Sequence, residues 1–484
     1  MMDASVDISV IAGFGSARSI GAAIAAGRVT SHAVTAWYLD RIAQRNPGAN
    51  GLNCVRSVSP LALDSARLAD AELAAGRSRG PLHGVPYLLK DNIFTADGSF
   101  ASAGCRALAE LVPPYEATLV ARLREAGAVL LGKTHLTEFA DFVADTMPAE
   151  FSGAGGVVRN PLGMRYERGQ GSSVGSAAAV AAGLCAFAIG TETQNSIQTP
   201  AVHTSLVGFK PTVGCVSRHG VVPLVPSQDS PGPLTRTVDD AALVFQALLG
   251  ADHKDGATTQ RKAAGLALQG LRIGIPRRFM ADAVMTDARK PAFDRALASL
   301  AQAGAIIVDP CDLPSAAELH LLRSSVFRTE FKESLNAMLG ALRPCGMSSL
   351  ADIIDWNRDH PDAIPYGQSL LEAADASTGT HTQQYRDDRQ RDLYLSVDTG
   401  IQAARQSAAV DVLLVPMSAA AKCTGKAGAP VIAIPVGQDA DGLPFGVTVF
   451  SSPGEDWAVL AAAAAIERQI GRRVEASLGS ISVR

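Results

Sequence analysis

At 484 residues, with 47% hydrophobic and 19% charged side chains, the chain carries enough apolar material for one large buried core. Its 43 basic and 47 acidic residues leave a formal charge of -4 with no long run of either sign, which argues against nucleic acid or an anionic membrane surface as a partner. The seven cysteines include no Cys-x-x-Cys unit, so neither a disulfide framework nor a zinc site is expected.

Cysteines set in apolar runs, such as Cys185 in Leu184-Cys185-Ala186-Phe187, read as small core residues and fit a reducing cytoplasm. No basic segment precedes an apolar stretch at the N-terminus, so no signal peptide is expected. The longest apolar segment, 177–189, is interrupted by Gly183 and falls short of the ~20 residues a membrane span needs.

In chain order, Thr30 and Ser31 can cap a helix that carries Tyr38, Leu39 and Ile42 and ends before Asn46-Pro47-Gly48. A second helix runs from about Pro60 to Ala75, closed by Gly76. Residues 84–89 have the short apolar form of a buried strand, and a helix at 117–126 leads to another such run at 127–132. A helix of small residues at 176–182 and a strand from Leu184 to Ile189 follow. Then come a helix at 238–249, a strand at 271–276, a helix at 290–303 and a strand at 305–308. Residues from about 312 to 408 are more polar and mostly helical. The chain closes with strands at 412–415, 431–435 and 445–449 and a helix at 457–470.

Alternating helices and apolar strands predict an α/β fold, a large mixed and mostly buried central sheet covered by helices on both faces. The expected organisation is a single domain, 1–484. Residues 1–60 form a helical N-terminal part, 61–310 and 410–475 the α/β core, and about 312–408 a variable helical insertion.

Two serine-bearing loops carry the chemistry. The first reads Gly169-Gln170-Gly171-Ser172-Ser173-Val174-Gly175-Ser176, and the second Gly190-Thr191-Glu192-Thr193-Gln194-Asn195-Ser196. A serine hydroxyl needs a base to act as a nucleophile. Gly171-Ser172-Ser173-Val174-Gly175 matches the Gly-x-Ser-x-Gly elbow centred on Ser173, which would call for a histidine such as His203 or His219. That elbow requires a buried strand directly before it, and Arg165 to Gln170 are polar, so the esterase alternative is disfavoured and both histidines read as packing or surface residues. Lys90 closes an apolar run instead, and burial there would lower its pKa toward that of a working base.

With these motifs the chain resembles the amidase signature family. Matching segments are Lys90-Asp91-Asn92, the two serine loops, Val207-Gly208-Phe209-Lys210-Pro211-Thr212, Gly232-Pro233-Leu234 and Pro430-Val431-Ile432-Ala433-Ile434-Pro435. The resemblance implies Ser196 as nucleophile, Ser172 as the bridging serine on a cis peptide bond and Lys90 as base. Backbone N–H groups of Thr193, Gln194, Asn195 and Ser196 would form the oxyanion hole. Ser173, Asp141, Phe142, Gln170, Gly171 and Gln198 are expected in the surrounding network or substrate pocket. No metal or cofactor is implied.

The expected reaction is hydrolysis of a small-molecule carboxylic amide through an acyl-serine, releasing ammonia or an amine. An ammonia-supplying subunit for tRNA-linked transamidation and a catalytically silent scaffold are the alternatives. Nothing in the sequence decides whether the chain forms a homodimer. Three positions depart from the common family pattern of Gly-Gly before the nucleophile and Arg two residues after it: Gln194, Asn195 and Gln198. Asn195 is expected to keep a glycine-like backbone. Gln194 is expected near the leaving group or pocket wall, and Glu192 is expected to lose its arginine partner. Residues 141–151 and the insertion are expected to line the acyl pocket.

Overall fold

The computed structural model describes Ile8, Gly13 and residues 15–47, 51–258, 268–280 and 284–476; the N-terminal stretch that bears on a signal peptide lies largely outside them. Among the described residues there are thirteen strands: β1 (Val55–Val58), β2 (Pro86–Lys90), β3 (Val129–Thr134), β4 (Phe151–Ser152), β5 (Gly156–Val157), β6 (Phe187–Glu192), β7 (Val207–Lys210), β8 (Ser230–Thr235), β9 (Arg272–Gly274), β10 (Ile306–Val308), β11 (Val412–Pro416), β12 (Val431–Gln438) and β13 (Pro444–Phe450). Eleven of them form one sheet in the order β1-β3-β2-β6-β8-β7-β12-β13-β11-β9-β10, while β4 and β5 make a separate hairpin. The sheet is mixed: β3, β2 and β6 run parallel, as do β11, β9 and β10, and the strands between them are antiparallel. This is the α/β architecture expected, with helices on both faces.

Local chemistry explains where the helices begin. Thr30 Oγ1 accepts the Ala33 N–H and caps Ser31–Arg45, and Thr237 does the same for Val238–Leu248 through Asp240 N. Asp240 then accepts the N–H groups of Ala17 and Arg18, fastening the first helix to the core.

Two differences from the sequence reading bear on the site. The strand expected at 84–89 extends to Lys90, and the one expected at 184–189 lies at Phe187–Glu192. In both cases the strand runs into residues that look like loop by polarity. Each is paired on one side, Lys90 with Thr134 of β3 and Thr191 and Glu192 with Pro231 and Ser230 of β8, so all three continue the ladder. The second difference is β1, a strand within the first sixty residues expected to be helical, which adds to the sheet edge antiparallel to β3. Strands β7 and β8 also lie outside the expected set, because Gly208, Gly232, Pro231 and Pro233 break the apolar pattern there.

Tyr87 stacks on Phe187 at 5.2 Å across the β2–β6 pair, setting the register that brings Leu89 opposite Ile189. The site therefore sits at the carboxyl ends of adjacent parallel strands, the edge of an α/β sheet where ligands ordinarily bind. Between 312 and 408 the chain is helical, including Val326–Leu342, Leu350–Asp359, Gln383–Leu393 and a π-helix at Tyr394–Gln402.

Candidate active site

Lys90 is fully buried at the end of β2. Its Nζ donates to Ser172 Oγ at 2.7 Å, Thr191 Oγ1 at 2.9 Å and the Thr191 carbonyl at 3.1 Å. Asn92 Nδ2 also donates to Thr191 Oγ1, at 3.0 Å, so Thr191 holds the lysine in place from the neighbouring strand. Burial pulls the Lys90 pKa from 10.5 down to about 7, against the opposing pull of Asp229, Glu192 and Asp141. At neutral pH the amine thus has a large uncharged fraction, whose two N–H groups can serve Thr191 while the lone pair faces the Ser172 hydroxyl.

Ser172 is fully buried, and its peptide bond to Gly171 is cis. The Thr137 N–H donates to the Ser172 carbonyl at 3.1 Å and fixes the loop to the preceding segment. A Cβ on Gly171 would lie 2.2 Å from Thr137 Oγ1, so close approach requires glycine here. Gly169, at φ +75°, supplies the left-handed turn that enters the loop.

Ser196 is buried to 4% exposure, and no protein group hydrogen-bonds to its hydroxyl among the described residues. The two serine loops are joined elsewhere. The Ser173 N–H donates to the Ser196 carbonyl at 3.0 Å, and Asn195 Nδ2 donates to the Gly169 carbonyl. Ser173 Oγ itself accepts the Thr191 N–H at 3.3 Å and lies 3.2 Å from the Thr191 carbonyl. It braces β6 and has no histidine partner. His203 is buried against Tyr166 and kept neutral by desolvation, its pKa pushed down to about 3, while His219 stacks on Tyr115 at 4.8 Å. The elbow reading therefore lacks a base.

Among the described residues, no protein acceptor engages the N–H groups of Thr193, Gln194, Asn195 or Ser196, whereas those of Ile197 and Gln198 are both taken by Glu192 Oε2, at 2.6 and 2.8 Å. Glu192 Oε1 accepts from Gln198 Nε2 at 2.8 Å, and the same amide donates to the Gln194 carbonyl at 2.8 Å. Gln198 thus fills the place expected for an arginine, and Glu192 keeps a partner. Gln198→Ala should cost ~1–3 kcal/mol in denaturant unfolding, because a buried carboxylate oxygen loses its donor. Asn195 also departs from expectation. Its φ is not positive, and its contribution is the side-chain tie to Gly169.

Residues not anticipated from the sequence complete the loop's support. Asp229 accepts from Thr193 Oγ1 at 2.6 Å and from the N–H groups of Leu224 and Val225, both at 2.9 Å. Nothing in its local pattern, Gln228-Asp229-Ser230, marks it, because its hydroxyl partner is distant in sequence.

Asp141 lies in a run of three left-handed residues, with Phe139, Ala140 and Asp141 at φ 44°, 56° and 75°. Desolvation raises its pKa to about 6, against the opposing pull of the Gly171 N–H and Lys90. Phe142 packs on Phe327 and Phe331 at 5.2 and 5.0 Å, joining this segment to the insertion. Gln170 is bonded to Glu167 through its side chain and makes no hydrogen bond to the serines. A cavity of about 220 Å³ adjoins the site, lined by Asn92, Ala140, Thr191, Thr193, Asp229 and Ser230 among others. Residues from 218–226, together with Pro231, Lys254 and Asp255, complete its lining.

Comparison with known proteins is consistent across sequence and structure. The amidase family profile matches residues 33–426. A Schizosaccharomyces pombe protein described as an amidase is 33% identical, the match covering 91% of this chain and 82% of that one. A glutamyl-tRNA(Gln) amidotransferase subunit of Azoarcus is 41% identical, but over 60% of this chain and 59% of its own length. Among solved structures, the peptide amidase of Stenotrophomonas maltophilia superposes with a TM-score of 0.88 at 36% identity, covering 96% of this chain and 98% of that one. No helix of the described residues is long and apolar enough to cross a membrane.

Proposed function

Because this chain belongs to the amidase family, we propose that Ser196 is its nucleophile, Ser172 the proton bridge and Lys90 the general base. The enzyme is an amidohydrolase that works through an acyl-serine. Neutral Lys90 takes a proton from Ser172 as Ser172 takes one from Ser196, whose oxygen attacks the amide carbon. The resulting oxyanion is received by the free N–H groups of 193–196. The proton returns through Ser172 to the leaving nitrogen, the C–N bond breaks, and the acyl group stays on Ser196. Water then attacks the ester, giving up its proton along the same path, and the carboxylic acid leaves.

The single observation that carries this reading is the buried Lys90 amine, its pKa lowered to about 7, with its Nζ 2.7 Å from Ser172 Oγ. It explains how a serine is activated without histidine. The cavity lined by Thr191 and Thr193 adjoins the strand end that holds Lys90.

We assign the carboxamides of peptides and other small molecules as the substrate class, following the near-complete overlap with a peptide amidase. The purified chain alone should release ammonia from C-terminal peptide amides in a coupled ammonia assay, with no added protein or tRNA. Activity appearing only with a partner protein and charged tRNA would replace this with the amidotransferase reading.

A further inference from the structure

The loop that carries Ser196 is backed by two segments, and both are held by charged residues of the insertion. The first is the helix Ala421–Ala427. Its Gly425 lies so close to the loop that a Cβ there would be 2.6 Å from the Thr193 carbonyl and 2.7 Å from Gln194 Cγ. The second is Ser227-Gln228-Asp229, whose aspartate receives the Thr193 hydroxyl.

The next residue of the helix, Lys426, is buried and donates to Asp392 Oδ1 at 2.7 Å. Asp392 is fully buried, and its Oδ2 accepts from Ser324 Oγ at 3.0 Å. Arg389, one turn earlier, donates to the Lys426 carbonyl at 3.1 Å and reaches the Ser227 carbonyl at 3.4 Å. Glu330 accepts the Ser227 N–H at 2.8 Å and is itself fixed by Tyr385 Oη at 2.8 Å. Three insertion residues thus grip both segments from behind.

A buried ion pair is a costly way to gain stability, since desolvation offsets much of its attraction. What it supplies is a fixed geometry that apolar packing would not specify. The geometry points to Asp392, Lys426 and Arg389 as positioning residues that set the backbone N–H groups of 193–196 against the developing oxyanion. Through them the insertion acts on catalysis as well as on shape. This rests on 193–196 being the oxyanion-binding loop, and it makes the insertion a determinant of turnover. A displacement of ~1 Å in such a site is enough to cost ~100-fold in rate.

The test is Asp392→Asn, which keeps the side-chain shape and removes the charge. It should lower kcat by about 10- to 100-fold with KM within about twofold, because the loss falls on the transition state. A peptide aldehyde, which forms a tetrahedral adduct, should lose affinity by the same factor, while the corresponding peptide alcohol binds as before. Lys426→Arg should retain most of the kcat that Lys426→Met loses. Folded Asp392→Asn enzyme with the original kcat would overturn the proposal, as would equal weakening of aldehyde and alcohol. Should Asp392→Asn not be recovered folded, Arg389→Gln cuts the tie from its partly exposed end and is read by the same pair of inhibitors, equal weakening again counting against it. Failure of the nucleophile assignment would show separately, as activity surviving in Ser196→Ala.

Discussion

Replacing Ser196 by alanine is expected to reduce kcat for amide hydrolysis by about 10⁴-fold or more, the scale on which loss of a nucleophile acts in serine hydrolases. The structure separates this effect from any change in folding. Ser196 Oγ makes no hydrogen bond to the described residues, so its removal breaks no contact that holds the loop. The loop's own ties run through Thr193, the Ser196 carbonyl and the Asn195 side chain, all of which survive the substitution. The variant should therefore melt within about 0.5 kcal/mol of the parent and still bind a substrate-like amide. A short incubation with substrate followed by acid quench should leave an acyl group on the 196-containing peptide of the parent and none in the variant. Full activity in Ser196→Ala would overturn the assignment of Ser196 as nucleophile.

Ser172→Ala is a different experiment. That hydroxyl is hydrogen-bonded to Lys90, so its loss leaves the lysine with only Thr191. The expected loss in kcat lies within the ~10²–10⁴-fold ordinarily supplied by general base catalysis.

The candidate catalytic residues are legible in the sequence because the chemistry needs fixed residue types at fixed positions in a short stretch. Lys90 at the end of an apolar run, and a glycine-rich serine loop followed by a second serine loop after a helix and a strand, are local patterns. The sheet's parallel strands are legible for the same reason, since a strand buried on both faces reads as a continuous apolar run. Strands β7 and β8 are not, because Gly208, Pro231, Gly232 and Pro233 interrupt the apolar run that would mark them.

The same limit applies within the site. The roles of Asp229 and Thr191 arise from partners tens to a hundred residues away, which no spacing rule encodes. Asn195 suggests backbone tolerance, whereas its side chain bonds to the other serine loop. Gln198 looks like the loss of a charge, yet its amide meets Glu192 and the Gln194 carbonyl at once.

Removal of the proposed base, Lys90, gives the second large effect, and its dependence on pH identifies the group. The rate constant kcat/KM should rise tenfold per pH unit up to about 7, the value to which burial lowers Lys90, and level off above it as the amine becomes uncharged. Lys90→Met should lose ~10²–10⁴-fold and abolish that limb of the profile. Asp141→Asn should move the limb to lower pH, because the Asp141 carboxylate is one of the charges that favours protonated Lys90, together with Asp229 and Glu192.

Stability follows from the same shift. The folded-state pKa of about 7 lies below the ordinary value of 10.5, so between those limits the unfolded chain binds a proton that the folded chain does not. Stability from this group therefore rises with pH across that window, and the penalty for burying the lysine is largest below pH 7. Lys90→Met should consequently be more stable than the parent at pH 6, by an amount on the order of a few kcal/mol less the hydrogen bonds lost at Ser172 and Thr191. The difference should shrink as the pH approaches 10.5. Lys133 and Lys210 are buried with pKa values lowered to about 8, and they add the same sign of slope to both proteins, so the difference between the two unfolding curves isolates Lys90. A Lys90→Met protein that lost activity with no change in this pH dependence of stability would show that the lysine is charged in the folded state. Its part in catalysis would then be electrostatic, and the proton from Ser196 would need another acceptor.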